Sequence, residues 1–134
     1  MTIRSSDNKR YVDVGSSTTL FSLFSTVKVL LNRNRNAIEL GRRFLETGTC
    51  KSADALETAR QINLIRDYLS RYSPDKAIWD YRDTSITAPW VGNISPIITS
   101  CANLYTTADG KDLLFEIVAL LTYAGYCDCT VFPT

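Results

Sequence analysis

Helical periodicity recurs over three consecutive stretches of the first half of the chain, and the only clear period-2 alternation lies at the two ends. Leu20, Leu23, Phe24, Val27, Leu30 and Leu31 share one face of a helix spanning about 18 to 32. Ala37, Ile38, Gly41, Phe44 and Leu45 do the same over about 36 to 47, where Gly48 supplies a stop. Ser52 opens a third helix with Leu56, Ala59, Ile62, Ile65 and Leu69 as its stripe, and that helix must finish before Pro74. Ser16 or Ser17 is placed to cap the first helix.

At the N-terminal end, residues 2 to 14 read as a hairpin turning at Ser6-Asp7-Asn8, with Val12 and Val14 on one face. At the other end, Leu113, Leu114, Ile117, Leu120, Leu121 and Ala124 predict a fourth helix closed by Gly125. Asp109 with Asp112 three residues on resembles a capping box at its start. Tyr126 to Phe132 alternates and predicts a final strand with Cys127 and Cys129 both facing the core, and a further strand is expected around Leu104 to Thr106. The sum is an α+β fold, with a small, mostly antiparallel sheet from the chain ends packed against three or four helices. The expectation for 134 residues is a single domain over 1-134.

Composition then removes function classes. The chain has no histidine, which excludes Ser-His and Cys-His nucleophile pairs and removes the commonest metal ligand. The glycines are isolated and form no phosphate-binding loop. Cys50, Cys101, Cys127 and Cys129 are scattered, unlike a secreted disulfide framework, and the one-residue spacing of the last two is poor for zinc. They are expected to be reduced thiols, with no cofactor or metal. MTIRSSDNKR lacks the apolar core of a signal peptide, and no apolar run is long enough to cross a bilayer, so a cytoplasmic protein without membrane contact is expected.

The net charge of +1 hides an asymmetry. Up to Lys51, nine basic residues face four acidic ones, a net of +5; from Ser52 onward six face ten, a net of −4. The acidic part contains WDYRDTSITAPWVGNIS, residues 79 to 95, which holds both tryptophans in a stretch with neither period. Trp79, which follows Ala77-Ile78, is equally suited to plugging the core or to display; Trp90, between Pro89 and Val91-Gly92, is the easier of the two to expose. Aromatic anchors ringed by charge are what binding hot spots are made of. Asn32-Arg33-Asn34-Arg35-Asn36 reads as a solvated connection. Asp109 and Asp112 suit a helix start better than acid-base chemistry.

Pro74, Lys76, Trp79-Asp80, Pro89-Trp90 with Gly92-Asn93-Ile94-Ser95, Ile98-Thr99, Asn103 and Asp109-Gly110-Lys111-Asp112-Leu113 together resemble immunity protein family 70 of the bacterial polymorphic-toxin systems. Phe24-Ser25-Thr26-Val27 and Gly41-Arg42-Arg43-Phe44 are similar to it as well, whereas Leu45 and Val91 stand where the family tends to carry proline and glycine. The resemblance implies a non-catalytic antidote that binds the toxic C-terminal domain of a cognate toxin, often one delivered by contact-dependent growth inhibition and often a nuclease. A nuclease site is basic because it receives phosphates, so an acidic inhibitor surface can steer association and occupy it. Asp80, Asp83, Trp90, Asp109 and Asp112 are the residues expected on or near that surface, with no direct nucleic-acid contact. The rival readings are a small nucleic-acid-binding regulator using the basic 33-43 segment, and an enzyme built on Asp109 and Asp112.

Overall fold

The computed structural model describes residues 1–134. β1 (Thr2–Ser5) and β2 (Tyr11–Asp13) form the expected antiparallel hairpin, with Ile3 opposite Val12. The turn is stabilised locally: Lys9 N–H and Ser5 Oγ both donate to Asp7 Oδ1, at 3.0 and 2.7 Å, and Asn8 adopts a φ of 62°. α1 (Ser17–Leu30) starts at Ser16, whose hydroxyl accepts from Thr18 N–H at 3.2 Å. The asparagine and arginine run folds as a short 3-10 turn over Asn32–Asn34, and α2 (Glu39–Thr47) begins later than its periodicity suggests. It ends at Gly48, whose φ of 72° lets its N–H return to Phe44 O at 2.7 Å. α3 (Ser52–Leu69) and α4 (Leu113–Tyr126) make the most extensive helix pair, with α2 against α3 and α1 against α2.

β3 (Val131–Pro133) pairs with β1 on the side opposite β2, giving an antiparallel sheet of order β2-β1-β3. The fold is therefore α+β, with its sheet built from the two chain ends against four helices. Ile3, Val12 and Val131 from the sheet join Leu23, Phe44, Ile62, Leu114 and Ile117 in one buried apolar cluster. No helix is long and apolar enough to cross a membrane.

Several local expectations are corrected. The stretch 104 to 106 is not a strand; only Thr106 bridges to Asp112, because Thr107 N–H donates to Lys111 O and Leu113 N–H to Tyr105 O, closing a tight loop over Gly110. Gly125 does not end α4 but lies inside it, where a Cβ would stand 2.5 Å from Leu56 Cγ. The helix absorbs the expected start of the last strand, and Asp128, at a φ of 53°, turns the chain so that Cys129 is buried while Cys127 is exposed. Leu56 is 43% exposed, and Ala55 takes its place in the core.

Candidate functional site

The chain between α3 and α4, residues 70 to 112, contains only a short 3-10 turn at Pro74–Lys76, so backbone groups that its own turns leave unpaired need partners from outside any regular ladder. α1 supplies them. Ser22, Ser25 and Thr26 are buried, and three and four residues of spacing put them on one side of the helix. Ile78 N–H donates to Thr26 Oγ1 at 2.9 Å, while Ser22 and Thr26 hydroxyls donate to Ile78 O at 2.8 and 3.1 Å. Three residues on, Tyr81 N–H donates to Ser25 Oγ at 3.1 Å. Tyr105 closes the group with its phenol 3.0 Å from Ser22 Oγ and 2.7 Å from Thr26 Oγ1. Burial pushes that phenol up to about 12, so it remains protonated at neutral pH.

Aromatic packing extends this anchorage. Trp90 stands edge-on to Tyr105 at 6.0 Å between centroids, and Trp79 edge-on to Trp90 at 5.3 Å. Both indoles are half-buried. Trp90, the easier of the two to expose on sequence grounds, is the one packed against the core cluster. Tyr81 lies against Phe21 and Phe24 of α1, with the Lys28 ammonium 5.0 Å from its ring centre. Between and beyond the tryptophans the segment also turns outward: Ile86 and Val91 are exposed, and Ile97 is 81% exposed.

The five candidate residues do not converge on one cavity. Asp80 is held by Arg82 through two side-chain contacts of 3.0 and 2.8 Å, and its side chain is only 16% exposed. Those bonds hold its carboxyl below the usual range. Asp83 is exposed and closes a turn by accepting from Ser85 N–H at 3.1 Å. Asp109 accepts from Thr107 and lies 3.7 Å from Lys111 at the surface. Asp112, rather than Asp109, is the N-cap of α4, taking Phe115 N–H at 3.2 Å, with Arg66 at 3.6 Å. The helix start expected at these acids is thus present, displaced by one turn.

Ser22 and Tyr105 draw no notice as site residues in the sequence, and Ser25 and Thr26 only as part of the family-like Phe24-Ser25-Thr26-Val27, yet these four position the tryptophan segment. A signal was available: FSLFSTV places three small hydroxyls within an otherwise apolar helix, where a hydroxyl that does not bond back to the helix's own carbonyls can serve another segment. In the basic segment, Arg43 pairs with Glu39 at 3.1 Å and Arg35 returns to Asn32 O at 2.9 Å, whereas Arg33 and Arg42 have no ion pair. No group of three or more metal-ligating side chains converges in the structure.

Comparison with curated proteins and with solved structures found no match. A family model described as Immunity protein 70 matches residues 5–131.

Proposed function

The chain belongs to the Immunity protein 70 family, and from that premise we propose that it acts in the cytoplasm as the antidote to a cognate toxin of the contact-dependent or polymorphic class. It binds the toxin's C-terminal domain, a nuclease, and neutralises it without catalysis. The observation that carries this reading is the pinned segment itself: α1 hydroxyls and Tyr105 hold residues 78 to 81, while Ile86, Val91 and Ile97 stand exposed further along. A surface already ordered before binding loses less conformational entropy on association. Exposed apolar side chains beside carboxylates suit a partner whose active site is basic.

Exposure divides the five proposed contact residues by role. Asp83 and Asp109 are at the surface and touch the partner directly. Asp80 and Asp112 are engaged with Arg82 and Arg66, and Trp90 supports the segment from beneath. Co-expression with the C-terminal domain encoded by the neighbouring toxin gene should restore growth and yield a complex that survives purification. Combined alanine substitution of Asp83, Val91 and Ile97 should abolish rescue while leaving the fold intact. A toxic domain that is neither neutralised nor retained by the wild-type chain sinks the proposal, and salt-dependent affinity for DNA or RNA would then favour the regulator using the 33-43 segment.

A further inference from the structure

The sheet has two edges, and they are treated differently. β3's outer edge is closed, because Cys50 N–H donates to Val131 O and Val131 N–H to Cys50 O, each at 2.9 Å. β2's edge is largely open. Ser5 N–H donates to Arg10 O and Val14 N–H to Met1 O, so Arg10, Val12 and Val14 turn their backbone groups toward β1. Alternation along an antiparallel ladder then sends the backbone groups of Tyr11 and Asp13 the other way. There Asp13 O accepts from Ala108 N–H at 2.9 Å, while Tyr11 N–H, Tyr11 C=O and Asp13 N–H meet no partner.

This edge borders a groove between β2 and α4. Two adjoining hollows of about 370 and 330 Å³ share Tyr11, Val12 and Glu116. Val12 and Leu120 are the buried apolar residues among those lining it, with Tyr123 and the 61% exposed Tyr11. Glu116, Leu120 and Tyr123 occupy one face of α4 by their spacing. Glu116 is half-buried and has no ion pair; Asp13 has none either, and Asp109 adds a third carboxylate at the same end. Arg10 and Lys111 also line it, Lys111 at 3.7 Å from Asp109, so the groove combines free backbone donors and an acceptor with an apolar lining and three carboxylates against two cations, Glu116 and Asp13 being the unpaired ones.

We propose that the β2 edge and the β2–α4 groove receive an extended, lysine- or arginine-bearing segment of the toxin domain as a fourth strand. Resting on the antidote reading, the inference adds how the partner is held. The incoming backbone pairs with Tyr11 N–H and C=O and with Asp13 N–H, one apolar side chain enters between Val12 and Leu120, and its basic side chains meet the unpaired Glu116 and Asp13. The short, exposed β2 is open at its edge because the partner completes the sheet.

The test is hydrogen exchange on this chain, free and in complex with the toxin's C-terminal domain, together with the affinity of two variants. Tyr11→Pro removes an N–H that points away from β1 and leaves the internal ladder intact; Glu116→Lys reverses the central charge. The expected result is slowed exchange at residues 11 to 13, with each variant at least tenfold weaker and folded as the wild type by circular dichroism. Should Tyr11→Pro fail to fold, Glu116→Lys and the exchange data decide. A wild-type complex that protects only residues 79 to 97, with Glu116→Lys binding unchanged, overturns the groove and leaves the antidote reading standing. Absence of any wild-type complex overturns both.

Discussion

Position 26 carries a threonine where the apolar character of α1 would accept valine without complaint, and its hydroxyl makes contacts to both Ile78 and Tyr105. Valine would retain the methyl packing and remove the only acceptor for Ile78 N–H. Leaving such a donor unpaired costs on the order of 1–3 kcal/mol. Thr26→Val is therefore expected to lower the urea midpoint by that equivalent and to shift tryptophan emission to the red, since Trp79 follows Ile78 directly. Thr26→Ser should restore both; an unchanged midpoint in the valine variant would show that the segment is held by its aromatic packing alone. The thiols offer a second check at this scale. Burial pushes Cys101 up to about 11, with the Asp75 carboxylate adding to the effect, and burial raises Cys50 as well. Iodoacetamide should label only the exposed Cys127 in the native protein and all four cysteines after unfolding. Alternation made Cys127 a core residue, and the sequence carried no sign that α4 would run on past Gly125.

Between elements, the closest approach is made by a missing side chain. Alanine at Gly125 would gain about 1 kcal/mol of helix propensity, yet its Cβ would fall 2.5 Å from Leu56 Cγ and 3.3 Å from Leu56 N. The clash should prevail, with Gly125→Ala destabilising by about 1–3 kcal/mol. Adding Leu56→Ala should recover most of the loss in a double-mutant cycle, and additive losses would argue against the contact. The hairpin is joined to α4 through Tyr123, whose hydroxyl donates to Asp7, with the Arg10 guanidinium 5.2 Å from the ring centre. That hydroxyl, followed by the Lys9 and Ser5 donors, holds the Asp7 carboxyl well below the carboxylate range. A depressed folded value means that the contribution is fully present above the unfolded value of about 3.9 and is lost as pH falls through the folded one. Tyr123→Phe should accordingly flatten the fall in thermal stability below about pH 4, and an unaltered acid limb would remove Asp7 from the account.

At the scale of the molecule, the ends of the chain meet: β1 lies between β2 and β3, Ser6 N–H donates to Thr130 O, and Thr134 N–H to Thr2 O. Ending the chain after Cys129 would strip one side of β1 and expose the buried Ile3, Cys50 and their neighbours. Loss of the cooperative thermal transition and of near-ultraviolet circular dichroism is expected; a sharp transition would mean that the helices fold without the closed sheet. The helices, the hairpin and the α+β class were legible because each rests on local periodicity, capping and turn chemistry, which a residue and its near neighbours specify. The failures have two sources: Leu104 to Thr106 and Cys127 were decided by turns a few residues on, at Gly110 and Asp128, which periodicity does not weigh, whereas Gly125 was kept inside α4 against Leu56, a partner far along the chain. The candidate site divides in the same way. Residue types marked the tryptophan segment and its acids, but the preference for displaying Trp90, the placing of Asp109 and Asp112 in different hollows, and the role of Ser22, Ser25 and Thr26 depend on what stands opposite. By itself the sequence determined which stretches are helical, which ends pair and which segment is irregular; only the tertiary structure decided which polar groups are consumed inside the fold and which remain free, because hydrogen-bond satisfaction and burial belong to pairs of segments that meet only when the chain has closed.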